Sequence, residues 1–270
     1  MNDASLIWDV LKDGNSDGNS DGVGLVLAVD YAVNGRHEAG FRELAPLVGG
    51  GHAIWETLAP PVGEEVGMTA DQYLKRWLDA VEASGRHVSA VLGYCGSGNL
   101  AGAISEGIGA RQGQPPKLML FDPSPVTPWT ILNFAFFKVL DGMSGSLSQE
   151  ELMQAQRAGL DAVRTHEDLE DFRPVIVDIY RRTGDIAFTR SGLKAPMREE
   201  LVTWFAAYVS FLIASGDFAG RFDSGQATVI CSSAFEATIT ATKQEIRFDV
   251  DHADLLRSAE VAKAVTDLLA

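Results

Sequence analysis

Val88-Ser-Ala-Val-Leu-Gly-Tyr-Cys-Gly-Ser-Gly-Asn-Leu-Ala-Gly102 is the stretch from which the rest of the chain can be read. Val88 to Leu92 is an apolar run of strand composition, bounded by a turn. The chain turns within Gly93-Tyr94-Cys95-Gly96 and continues into a small-residue helical segment, Leu100 to Ile104. A strand, a tight glycine-flanked turn and a helix, in that order, present one nucleophilic side chain at the edge of a sheet. Small neighbours relieve the crowding of such a turn, and the helix N-terminus offers backbone N–H groups to an oxyanion. Cys95 holds the place of the nucleophile. Ser97 stands where a second flanking glycine is expected, and nothing in the sequence explains it.

Outward from this elbow, short apolar runs alternate with helical patterns. Leu6 to Leu11 reads as a first strand, and Gly24 to Val29 as a strand buried on both faces. Ala53 to Leu58 and Pro116 to Phe121 follow the same pattern. Phe41 to Leu47 has one short helical face. Thr69 to Glu82 reads as a helix with Tyr73, Trp77 and Ala80 on one side, and Thr69 and Gln72 form a capping box. Such alternation predicts an α/β fold with a mostly parallel sheet and helices on both faces. Between about Thr127 and Phe222 the alternation stops. Helices are expected over Trp129–Leu140, Ser148–Val163, Leu169–Arg182 and Met197–Ser215, with Pro174 interrupting or kinking the third. Strands return at Ala227–Cys231 and Ile246–Val250, followed by a helix from Ala259 to Leu269. The expected organisation is a core of residues 1–126 and 223–270 with a helical lid insertion at 127–222. The lid's aromatic residues (Trp129, Phe134, Phe136, Phe137, Trp204, Phe205, Tyr208 and Phe211) are candidates to line an acyl channel.

The chain has 270 residues, of which 46% are apolar and 22% charged, and a formal net charge of −15. That charge argues against a duplex nucleic-acid binder and against anionic membranes. Two cysteines, Cys95 and Cys231, lie far apart, and no Cys/His cluster suggests a metal. No cofactor is expected. The Asp13–Gly22 stretch has Asp-x-Asn-x-Asp-Gly spacing but lacks the closing Glu of a calcium loop, and it reads as a flexible connection. No secretory signal is evident, the most apolar run in the second half (Leu201 to Ser215) is too short to span a bilayer, and a cytoplasmic location is expected.

A nucleophile needs a base, and the base needs an orienting acid. In the α/β-hydrolase fold these follow one another as nucleophile, acid and His. Of the five histidines, only His252 lies after the last expected strand, just before the terminal helix. Asp122, at the end of the strand after the elbow helix, is the preferred acid. Glu236, after the strand at Ala227, is the alternative. Cys95 supplies the stronger nucleophile as its thiolate, which a neighbouring His252 favours. Ser97 is a poor rival, because Cys95 and Asn99 occupy the places where its own flanking glycines would be needed.

Taken together, these residues resemble the thioesterases of nonribosomal peptide and polyketide synthesis, including the free-standing type II enzymes. Gly93-Tyr94-Cys95-Gly96-Ser97-Gly98-Asn99-Leu100-Ala101 is similar to that family's elbow, Gly-Tyr-Ser-x-Gly-Gly-x-Leu-Ala, with Cys95 in place of Ser and Ser97 in place of Gly. Leu25 to Gly35 resembles the strand and oxyanion loop. Peptide-synthetase members carry the acid where Asp122 stands and the His where His252 stands. The resemblance covers nearly the whole chain, lid included. It implies an oxyanion hole formed by the N–H of Gly96 and one from Val33 or Asn34. It also implies a covalent Cys acyl-enzyme and an acyl or peptidyl carrier protein bearing a phosphopantetheine thioester as partner. Arg181, Arg182, Arg190, Lys194 and Arg198 are candidates for a basic patch facing that acidic partner. Hydrolysis, transfer or cyclisation that excludes water, and a non-catalytic binding protein on the same fold are the outcomes to be separated.

Overall fold

Four of the sheet's strands, β2 (Leu25–Val29), β4 (Val88–Tyr94), β5 (Lys117–Phe121) and β6 (Ala227–Cys231), are almost wholly buried, as strands covered on both faces must be. The computed structural model describes residues 7–14, 24–31, 37–61, 63–65, 68–236 and 241–270. Most of the Asp13–Gly22 connection lies outside them. With β1 (Trp8–Lys12), β3 (Ala53–Thr57) and β7 (Gln244–Arg247), these strands form a seven-stranded sheet in the order β1-β3-β2-β4-β5-β6-β7. Every pairing is parallel except that of β1 with β3. The expected α/β class and mostly parallel sheet are therefore observed.

The period of two along the strands sorts side chains between the faces. Val26, Ala28, Leu92, Tyr94, Phe121 and Ile230 pack on one face with α1 (Phe41–Leu44) and the C-terminal helix Ala259–Leu269. The opposite face carries α2 (Ala70–Ser84) and α3 (Gly98–Gln112). Helix α2 begins with the expected capping box: Thr69 Oγ1 accepts the Gln72 N–H at 3.3 Å and Gln72 Oε1 accepts the Thr69 N–H at 2.7 Å. The last strand differs from its expected span, Ile246–Val250. It pairs with β6 only from Gln244 to Arg247, because Phe248 and Val250 leave the edge and pack against the core beside the His252 turn.

The chain divides into two compact units. One contains the residues up to Ala59, Thr69–Pro125 and Asp217–Ala270; the other contains Pro60–Met68 and Val126–Gly216. The second is helical, with α4 (Pro128–Ile131), a π turn at Leu132–Phe136, α5 (Phe137–Gly142), α6 (Gln149–Thr165), α7 (Leu169–Arg190) and α8 (Ala195–Gly216). The C-terminal helix Ala259–Leu269 is thus α9. Helix α7 runs past Arg182 without interruption at Pro174. Asp168 caps its N-terminus, and the buried residues Phe172, Ile176, Ile179 and Tyr180 hold it through the proline. Several aromatics suggested for an acyl channel fill the core of this unit instead. Phe136 and Phe205 are buried, and Phe205 stacks on Tyr180 at 4.2 Å. Trp129, Phe134 and Trp204 are exposed.

The elbow depends on close approach of β4 to α3. A Cβ at Gly93 would lie 2.5 Å from the Cβ of Ala101 and 3.3 Å from the Cα of Gly98. Gly93→Ala is expected to destabilise the protein by about 1–3 kcal/mol through overpacking. Urea unfolding checks this, and an unchanged midpoint would contradict the close approach.

Candidate active site

Tyr94 and Phe121 are paired in the β4–β5 ladder, so the next residue on each strand, Cys95 and Asp122, leaves the sheet beside the other. Both adopt left-handed backbone conformations, with φ of 50° at Cys95 and 41° at Asp122, the only described non-glycine residues to do so. Such conformations cost an L-residue on the order of 1–3 kcal/mol and persist where the surroundings impose them. At Cys95 the turn runs through Cys95–Ser97 directly into α3. Gly96, the expected oxyanion donor, lies within it. Val33 and Asn34 lie outside the described residues.

Asp122 is fully buried, and its carboxylate is used on both oxygens. Oδ1 accepts the Ser232 N–H at 2.8 Å, and Oδ2 lies 2.7 Å from His252 Nδ1. Glu236 is exposed, so the carboxylate that meets the imidazole is Asp122. His252 opens the short turn His252–Arg257 and also hydrogen-bonds Cys95. The structure thus brings Cys95, His252 and Asp122 together. Burial alone would hold the His252 imidazole down, but hydrogen bonds to Asp122 and Cys95 and their negative charge outweigh it, pushing the ring up to about 9. Both cysteines are free thiols, and they differ sharply. Cys231 is buried at the end of β6, and burial, with Glu245 and Asp122 nearby, pushes its thiol up to about 11.

Two residues of the elbow do more than the sequence reading assigned to them. Ser97 is buried, and its hydroxyl accepts the Tyr94 N–H at 3.2 Å while lying 2.6 Å from both the Val29 and Tyr94 carbonyl oxygens. It ties the end of β2 to the elbow, a bond that glycine cannot make, which explains the departure from the expected glycine. Tyr94 stacks on the His252 ring, with centroids 5.1 Å apart and planes 13° apart. Its hydroxyl lies 3.0 Å from Nε2 and 3.2 Å from the His252 carbonyl oxygen. The alternation of β4 puts Tyr94 on the same face as Leu92, but no local pattern in the sequence places His252 against that face.

The suggested basic patch is largely neutralised. Arg181 pairs with Glu199 at 3.2 Å, Arg182 with Asp178 at 2.9 Å, Arg190 with Glu151 at 2.6 Å and Arg198 with Asp185 at 3.1 Å. Among the described residues there is no cluster of His, Cys, Asp and Glu fit to hold a metal. No described helix is long and apolar enough to cross a membrane.

A mostly parallel sheet with an elbow after its central strand and a helical insertion before β6 is the α/β-hydrolase fold. Solved structures share it. The Vlm2 thioesterase domain aligns over 98% of both chains at 17% identity with a TM-score of 0.52. A hydrolase from Oleispira antarctica aligns over 99% of this chain and 94% of its own, at 13% identity and a TM-score of 0.50. The four-domain nonribosomal peptide synthetase AB3403 aligns over 97% of this chain and 20% of its own, at 12% identity and a TM-score of 0.53. No protein-family model matches the sequence, and no curated protein does.

Removing the Ser97 hydroxyl removes its buried bonds to the Tyr94 N–H and the Val29 carbonyl. Ser97→Ala is expected to cost about 1–3 kcal/mol in chemical denaturation; a variant as stable as wild type would refute the bridging role. A second expectation concerns pH. The folded protein keeps a proton on His252 that the unfolded chain loses above the ordinary histidine value of about 6.5, so this contribution to stability is complete below that pH and is lost as pH rises to about 9. Thermal midpoints of wild type should therefore fall more steeply over that window than those of His252→Gln. Parallel profiles would show that the imidazolium is not held.

Proposed function

We propose that this chain is a thioesterase-like enzyme that takes acyl or peptidyl groups from carrier-protein phosphopantetheine thioesters onto Cys95 and releases them by hydrolysis or transfer. The observation that carries this reading is the convergence of Asp122 and Cys95 on the His252 imidazole, with Asp122 Oδ2 2.7 Å from Nδ1, which pushes the ring up to about 9. An imidazole already protonated at neutral pH is a poor base toward a serine hydroxyl. Beside a thiol it is the right partner, because a charged imidazole favours a thiolate over a thiol.

The Cys95 thiolate attacks the thioester carbonyl, and the N–H of Gly96 is the assigned donor to the resulting oxyanion. The carbon–sulfur bond to the carrier arm breaks, and His252 gives its Nε2 proton to the departing sulfur. Acylation removes the negative charge of Cys95, and with it part of what raised the imidazole. The ring can then stay neutral and take a proton from the second nucleophile. That nucleophile attacks the acyl-Cys95 carbonyl, the Cys95 thiolate leaves, and His252 is protonated again. Asp122 holds Nδ1 throughout.

Water as second nucleophile gives a thioesterase; an amine or alcohol gives transfer or cyclisation. The acyl-Cys95 bond is itself a thioester, so the first step is close to thermoneutral and the intermediate remains activated toward either. The Vlm2 thioesterase domain of the same fold has been seen bound with a dodecadepsipeptide, which supports a peptidyl or depsipeptidyl class of substrate. Helical residues 127–222 serve as lid in this reading, supported by the exposed Trp129, Phe134, Met197 and Trp204.

Intact-protein mass spectrometry with a small acyl thioester provides the test. Wild type should gain one acyl group, mapped to the Cys95 peptide, and Cys95→Ala should gain none. His252→Gln should acylate more slowly by about a hundredfold or more. Equal labelling of wild type and Cys95→Ala would reject the nucleophile, and absence of any adduct or turnover in wild type would leave a binding protein as the better reading.

A further inference from the structure

Three groups converge on the His252 ring, and only two belong to the proposed Cys–His–Asp set. The third is the Tyr94 hydroxyl, 3.0 Å from Nε2 and 3.2 Å from the carbonyl oxygen of the same histidine, on a phenol ring stacked over the imidazole. Tyr94 is buried, so its hydroxyl has little solvent to turn to. We infer that Tyr94 is a positioning residue that holds His252 toward Cys95 and stabilises its protonated form, an inference that rests on the proposed Cys95–His252 chemistry.

The hydrogen inventory supports this role. With Nε2 protonated, the ring has one N–H to offer to Cys95 and to the Tyr94 oxygen 3.0 Å away, and Tyr94 can donate its own O–H to the His252 carbonyl at 3.2 Å. Two bonds are made, one of them charge-assisted. With Nε2 neutral, the Tyr94 O–H can turn to that lone pair, and the carbonyl bond is lost. One hydroxyl therefore serves both protonation states and favours the charged one. The same geometry has a kinetic use. When the Nε2 proton leaves with the carrier thiol, the ring keeps a donor that prevents it from swinging away before the second nucleophile arrives.

Other groups also face the turn: Arg257 donates to the His37 carbonyl at 3.0 Å and the Ala39 N–H to the Ala253 carbonyl at 2.8 Å, with Glu38 between them. Asp122 comes from the end of β5, and Cys95 and Tyr94 come from the elbow and β4. On the His252 turn itself, Asp254 pairs with Arg257, and Asp251 is exposed. On the packed helices α1 and α9, Arg42 pairs with Asp9, Glu43 accepts the Gly40 N–H, Lys263 pairs with Asp267 and Glu260 is exposed.

The test is nitrogen NMR of full-length protein labelled with 15N-histidine, with the His252 signal assigned by its loss in His252→Gln. Tyr94→Phe keeps the stacked ring and removes only the hydroxyl. The His252 titration midpoint should fall by about half a pH unit to one pH unit. Turnover of an acyl thioester should drop by up to about tenfold in kcat with KM unchanged. Should Tyr94→Phe fold poorly, 3-fluorotyrosine at position 94 keeps the shape with a weaker acceptor oxygen, and should move the midpoint the same way by less. An unchanged or raised midpoint in a folded variant overturns the role of Tyr94. A lowered midpoint in a protein that turns over no acyl thioester upholds that role and rejects the thioesterase reading.

Discussion

The parallel pairing of β4 with β5 is the constraint on which the site depends. Register, not side-chain chemistry, puts Cys95 next to Asp122: Tyr94 faces Phe121, and one residue later both chains leave the ladder. Both then take a left-handed backbone. The strain at each is held by bonds to neighbouring strands. The Asp122 N–H reaches Ile230 of β6, its Oδ1 takes the Ser232 N–H, and Ser97 fastens the elbow to Val29 of β2. Two strained residues on adjacent strands, each secured by the strand on its far side, make a site that cannot relax without disturbing the centre of the sheet.

Electrostatics then separates this site from one built on serine. Asp122 is completely buried and keeps its carboxylate beside His252, so the imidazole gains more from staying charged than burial takes away. In a serine site the same balance would be a handicap, because the base must begin neutral. In the proposed reaction a thiol suits that balance, because a charged imidazole favours the thiolate beside it. On that proposal Cys95 and the raised imidazole belong to one arrangement. Cys231 sits in a different setting: buried, with Glu245 and Asp122 nearby, its thiol is pushed up to about 11.

Much of the fold was legible in the sequence because the features that signal it are local. The apolar runs of β2 and β5, the Thr69–Gln72 capping box and the glycines around Cys95 each carry their own physical reason. The edge and the helical unit were less legible. Strand β7 is set by pairing with β6, and its alternating pattern continues past the point where pairing stops. Pro174 signals a break, but tertiary packing around Phe172 and Ile176 carries α7 through it. Aromatic composition alone cannot separate a core from a channel, and Phe136 and Phe205 proved to be core.

Ser97 and Tyr94 mark a different boundary of legibility. In the sequence they are the two letters on either side of the nucleophile turn, one unexplained and one taken as part of a motif. Their contacts lie far along the chain, with Val29 for Ser97 and His252 for Tyr94. No local pattern records such a pairing. What each does, however, follows from a single hydroxyl in a buried place, where a donor or acceptor left unmet is costly. The Ser97 hydroxyl meets that demand with backbone, and so shapes the turn that presents Cys95. The Tyr94 hydroxyl meets it with the histidine itself, and so couples the strand that leads into Cys95 to the ring that hydrogen-bonds it.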